Sequence, residues 1–137
     1  MIDDLYSAKL LRLAAETPRL GRLADPDATS EKVSKLCGSR VVVDVRVDGD
    51  RVTDFAQDVK ACALGQASAA VLGQVALGRS LPELEAAREA LRAMLKEGGP
   101  VPPAPFDGYE VLLPARDYKN RHASIMLALE AVCEAME

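Results

Sequence analysis

The 137-residue sequence contains no tryptophan, and its aromatic residues are three tyrosines and two phenylalanines. A core for a chain of this size must then be aliphatic, built from Leu, Val, Ala and Met. An excess of positive charge is also missing. Twenty-one acidic residues (21) oppose 17 basic ones, which gives a net charge of −4 and a pI near 5.1. A general nucleic-acid binder is basic, with clustered Lys and Arg, so that class is excluded. No apolar run approaches the ~20 residues that span a bilayer, so no membrane span is expected. The opening "MIDDLYSAKLL" places two acids before any apolar stretch, which does not read as a secretory signal, and a cytoplasmic location is the expectation. Cysteine is scarce: Cys37, Cys62 and Cys133. In a reducing compartment three thiols suit metal binding or thiol chemistry better than a disulfide framework.

What is present is a sequence of switching periods. Leu5, Leu10, Leu13 and Ala14 give a rough apolar helix face, with Asp3 and Asp4 at the positive N-terminal end and Pro18 as the stop. Residues 19–30 read as a loop, and 31–37 alternate weakly. Val41, Val43, Val45 and Val47 alternate with other residues and predict a half-buried strand. Asp48-Gly49 is a hairpin turn pair that returns the chain as a strand over 52–59. From Cys62 the pattern becomes helical to about Leu77, with Gly78 as the stop. Ser80, Pro82 and Glu83 form a capping box that opens a helix with Leu84, Ala87, Leu91 and Leu95 inward. A Pro/Gly loop and a short helix near "YEVLLPARDY" follow. The last helix is read as amphipathic, with Ile125, Leu129, Val132, Cys133 and Met136 on one side. The order predicts a single α+β domain over 1–137: a small three-stranded antiparallel sheet with helices packed on one face.

Four residues invite a chemical reading. Cys62 falls where strand becomes helix, and the first turn of a helix offers free N–H groups and a positive dipole end that favour a thiolate. A small buried core residue is the equal alternative. Cys37 precedes Gly38, which lets the backbone turn tightly beside the sulfur. Cys133 lies on the apolar face of the last helix and reads as core. His122 is the sole histidine and sits beside Arg121. Its imidazole would suit zinc or an iron–sulfur cluster only if it points at the cysteines.

Four stretches in order resemble a known family. "LYSAKLLRLAAETPRLGRL" is similar to its opening helix and following Pro-Arg segment. "LCGSRVVVDVRVDGDRVTDF" resembles a Cys-Gly-Asp followed by a hairpin. "VKACALGQASAAVLGQVALGRS" resembles the helix of its second cysteine, and "RHASIMLALEAV" its last helix. The family is that of the U-type iron–sulfur cluster scaffolds: the NifU N-terminal domain with the IscU and SufU groups. The resemblance implies a protein without enzymatic activity, on which a cluster is built from iron and sulfur supplied by a cysteine desulfurase and then passed to apo-protein acceptors. It assigns Cys37 and Cys62 as ligands of iron, a labile cluster or zinc. The family's aspartate is Ser39 here, and its third cysteine falls on Ser124 or, shifted by one, on Ala123.

The leading expectation is therefore a scaffold with an incomplete site. Cys37, Cys62 and His122 hold the metal, and a further ligand comes from solvent, glutathione or a second subunit of a homodimer. A relative that docks on the assembly machinery without holding a cluster is the alternative. A thiol enzyme with Cys62 as nucleophile and His122 as base lacks any supporting substrate motif.

Overall fold

A computed structural model describes residues 6–35 and 38–137. Three strands, β1 (Ala28–Ser34), β2 (Ser39–Asp48) and β3 (Arg51–Lys60), form an antiparallel sheet in that order. The β2–β3 turn is tight because Gly49 takes φ +66°, a conformation that costs glycine no Cβ clash. Residues 28–30 belong to β1, although their composition reads as loop. Their hydroxyls find partners that hold them in the strand: Thr29 donates to Asp44 at 2.6 Å, and Ser30 bonds Glu134. The strand ends at Ser34, short of the expected 37.

The sheet is covered on one face by helices, as expected. Val41, Val43 and Val45 pack beneath them, each at most 1 % exposed. The other face of β2 is buried too, which the expectation of a half-buried strand missed. Val42 and Asp44 are both buried, and Asp44 is bonded by Arg22 and the Leu23 N–H of the segment 19–27, which crosses from the β3 edge toward β1. Backbone bonds tie this segment down at Gln57, from Gly21 N–H to its carbonyl (2.8 Å) and from its N–H to the Arg19 carbonyl (2.9 Å).

Helix α1 (Ala8–Ala15) starts at Ser7, whose side chain accepts from the Leu10 N–H. The two aspartates expected to favour its start, and Leu5, lie outside the described residues. Helix α2 (Ala63–Val75) stops two residues before the expected Leu77, and Gly78, at φ +85°, donates its N–H to the Val52 carbonyl. Helix α3 (Leu81–Lys96) carries the expected capping box: Ser80 accepts from the Glu83 N–H, and Glu83 reaches back to the Ser80 N–H. Two 3-10 segments, Phe106–Asp117 and Lys119–Arg121, replace the single short helix. Helix α4 (His122–Met136) is not amphipathic. Met126, Leu127, Ala128, Ala131 and Ala135 are buried along with Ile125, Leu129, Val132 and Cys133 of the predicted face, and Met136 is partly buried. The reason is its position, with β1 and β2 on one side and α2 and α3 against the rest of its surface. Cys133 is fully buried within that core. Among the described residues no helix is long and apolar enough to cross a membrane.

Candidate functional site

Cys62 is the N-cap residue of α2, in extended backbone (φ −65°, ψ 172°). The switch from strand to helix period leaves the thiol half-buried at the helix start. Burial is the largest single influence on its acidity and pushes the pKa up. The Gly65 N–H, the Ser124 hydroxyl, the Leu64 N–H and the charge of Arg121 together outweigh it, and the thiol lies below its ordinary value. The thiolate of this partly accessible sulfur is thus easier to form than that of an ordinary cysteine.

Ser124 faces this sulfur from the first turn of α4, with its Oγ 3.6 Å from Cys62 Sγ. The neighbouring Ala123 is exposed, so Ser124 is the residue placed against Cys62. Ser124 Oγ also shares a 2.9 Å hydrogen bond with Ser39 Oγ, at the start of β2. Both serines are buried, at 1 % and 2 % exposure. Ser39 pairs in register with Ser34, and direct antiparallel partners project to the same face of a sheet. The Ser34 hydroxyl is itself buried and has no partner among the described residues. The sulfur therefore ends a row of hydroxyls drawn from β1, β2 and α4.

Helices α2 and α4 come close here because α2 lacks bulk. A Cβ added at Gly65 would stand 2.6 Å from Ser124 Oγ and 2.7 Å from the Ala61 Cβ. One turn further on, Ser68 donates to the Ile125 carbonyl at 2.6 Å.

His122 is placed differently. It is 1 % exposed, and its Nε2 lies 3.0 Å from the Ala115 carbonyl and 3.1 Å from the Arg116 carbonyl. Carbonyls only accept, so these partners put the ring proton on Nε2. Its Nδ1 is buried with no partner among the described residues. The bonds that are seen tie His122 to the first 3-10 segment, while Ser124 contacts the sulfur. Cys37 lies outside the described residues. Cys133 sits in the core, and burial pushes its thiol up to about 11.

What can this arrangement hold? Two ligands of one tetrahedral ion, with bonds of about 2.0 Å to oxygen and 2.3 Å to sulfur, stand about 3.5 Å apart. Cys62 and Ser124 have that spacing, and Cys62 fits as a soft anchoring ligand. Among the described residues no group of three or more His, Cys, Asp or Glu side chains could hold a metal ion. Sequence reasoning missed Ser34, because only strand register brings it beside Ser39.

Comparison with known proteins follows the same line. No curated protein matches the chain. The crystal structure of a nitrogen-fixing NifU-like protein (N-terminal) from Brucella abortus is 48 % identical, with a TM-score of 0.95, over 98 % of this chain and 93 % of that one. A protein from the thermophile Fervidobacterium islandicum, described as an iron–sulfur cluster assembly scaffold for the SUF system, shares the fold. Its TM-score is 0.82 at 20 % identity, over 98 % of each chain. The model of the NifU-like N terminal domain matches residues 5–128. With that span and that fold, the chain belongs to the NifU-like N terminal domain family.

Proposed function

We propose that this chain is a scaffold for iron–sulfur cluster assembly, with Cys62 as the thiolate on which iron, or a cluster in transit, is held. The observation that carries the reading is the setting of Cys62: a half-buried sulfur at a helix start, lowered in pKa and met by a buried hydroxyl at ligand–ligand distance. Cys37 is assigned as the second thiolate on sequence alone; Ser39, two residues after it, is at the site. Solvent, glutathione or a second subunit completes the shell, which makes the cargo labile. A labile shell suits a protein that gives its cluster away. In this reading the chain is one non-enzymatic domain of the cytoplasm. It takes sulfur from a cysteine desulfurase and serves apo-protein acceptors, and zinc is an alternative occupant.

Anaerobic purification followed by iron, sulfide and zinc analysis tests it. Wild-type protein should retain iron with sulfide, or zinc, and Cys62→Ala should lose most of it. A metal content that is nil, or unchanged by Cys62→Ala, ends the reading.

A second reading rests on the Ser39–Ser124 bond. Two hydroxyls satisfy each other at the positions where the resemblance expects an aspartate and a cysteine. A docking module that holds no cluster needs no more than this. It would be recovered with a cysteine desulfurase in a pull-down whether or not Cys62 is present, whereas loss of capture in Cys62→Ala favours the scaffold.

A further inference from the structure

The row of hydroxyls behind Cys62 ends on a group without a partner. A hydroxyl has one hydrogen to donate and two lone pairs to accept with, and a thiolate only accepts. With Cys62 as the thiolate, Ser124 therefore donates to Sγ across their 3.6 Å contact. Its hydrogen is then used, so the 2.9 Å bond between the two serines runs from the Ser39 O–H to Ser124 Oγ. That uses the Ser39 hydrogen in turn. Ser34 stands last. It is 4 % exposed, and its Oγ is buried with no hydrogen-bond partner among the described residues. Such an orphan hydroxyl is rare in folded proteins and costs stability.

The backbone beneath the orphan is pinned. Ser34 and Ser39 are the last pair of the β1–β2 ladder, and the Gly38 N–H donates to the Ser34 carbonyl at 2.8 Å. Side chains of such a pair stand on one face with Cβ atoms about 4.5–5.5 Å apart. Turning one of them between staggered rotamers brings two hydroxyls into hydrogen-bond reach. Ser34 can make that turn without giving up a bond of its own.

We propose that Ser34 is the reserve acceptor that frees Ser124 to bind the ion held by Cys62. With an ion shared by Sγ and Ser124 Oγ, a lone pair of Ser124 faces the ion. Its hydrogen then points away from the sulfur, to Ser39. The bond between the two serines stays and its direction reverses. The Ser39 hydrogen, displaced by that reversal, is accepted by Ser34 Oγ. Every hydroxyl keeps its own hydrogen, and only the donor directions change. The metal-free row has one orphan and the loaded row has none, so the orphan biases Ser124 toward the ion. Ser34 acts through Ser39 and Ser124, as a positioning residue. The inference rests on the cluster-holding reading and adds a residue to it.

The test is a Co²⁺ titration of the full chain without oxygen, followed through the thiolate-to-cobalt absorption band. Wild-type protein should show a band that Cys62→Ala largely removes. Ser34→Ala should weaken Co²⁺ binding about fivefold or more, because the displaced Ser39 hydroxyl is left unpaired. The same substitution should leave the metal-free protein melting at or above the wild-type temperature, since it deletes a hydroxyl without a partner. A merely structural role would lower both together. With Ser124→Ala already present, Ser34→Ala should change Co²⁺ binding by less than about twofold. Ser30→Ala, which removes the hydroxyl bonded to Glu134 on the same strand, should also stay within about twofold. A wild type that binds no Co²⁺, or binds it unchanged in Cys62→Ala, overturns the scaffold reading and this inference with it. A Cys62-dependent band overturns the role of Ser34 alone if Ser34→Ala leaves the affinity unchanged, or weakens it equally with Ser124→Ala present. A Ser34→Ala protein that melts lower without metal, or does not fold, overturns that role as well.

Discussion

Two thiols in adjacent helices show how little the residue type decides. Cys62 opens α2 with N–H groups and the Ser124 hydroxyl turned toward it; Cys133 sits in the core of α4, where the charge of Arg88 does not offset burial. Burial raises both, and only Cys62 has donors to reverse it. Alkylation of the folded protein at neutral pH should therefore modify Cys62 well before Cys133, with peptide mass spectrometry resolving the sites. Its rate should rise at lower pH than for a free cysteine, because a lowered pKa extends the thiolate downward in pH. Ser124→Ala removes one donor and should move that rise back up. Equal rates at the two sites would contradict this account. The position of Cys62 was legible in the sequence, since the period changes from two to 3.6 at that residue. The choice between Ala123 and Ser124 was not. One step along a helix rotates a side chain by about 100°, and only the packing of α4 decides which one faces the sulfur.

At the scale of elements, the site depends on how closely α2 and α4 approach. Alanine is the better helix former, so Gly65→Ala in isolation would gain about 1 kcal/mol. Here the new methyl meets Ser124 Oγ at 2.6 Å and the Ala61 Cβ at 2.7 Å. Ser124 cannot swing away without breaking its bond to Ser39. Overpacking of this kind costs about 1–3 kcal/mol, so the variant should melt earlier than wild type and its Cys62 should lose the Ser124 contact. A melting temperature that stays level or rises would show that the helices can separate freely. The elements with local signals were readable in advance: the Asp48-Gly49 turn, the Ser80–Glu83 box and the valine alternation each carry their cause within a few residues. The burial of α4 on nearly all sides carries none, because it follows from where the sheet, α2 and α3 converge. The 3-10 segments and the polar start of β1 also escaped, since Thr29 and Ser30 are held by partners distant in the chain.

For the whole molecule, one buried carboxylate joins the outer segment to the sheet. Asp44 is fully buried in β2. It accepts from Arg22 Nε (2.6 Å) and Nη2 (3.0 Å), the Leu23 N–H (3.0 Å) and Thr29 Oγ1 (2.6 Å). The Arg22 hydrogen bond, ahead of the opposing effect of burial, holds its pKa below the ordinary carboxylate value. A carboxylate lowered in the folded state adds stability above its unfolded pKa, near 3.9, and loses it as pH falls through the folded value. Chemical denaturation at successive pH values from 7 downward should show stability falling below about pH 4. Asp44→Asn should be less stable by about 1–3 kcal/mol at neutral pH, with a flatter acid limb. An unchanged acid limb would assign the loss to other groups. The segment held by Asp44 has a further result for self-association. It places Leu20 beside Gln57 on the outer side of β3, and Ser80 bridges Arg51 at the start of that strand, so β3 is not a free template for another chain. Among the described residues that leaves β1 as the open border of the sheet. There Glu31 pairs with Arg40, and Lys32 with Glu134. A second copy adding a strand at β1 would have to strip water from those charges, so the sheet is guarded on one side by covering chain and on the other by ion pairs.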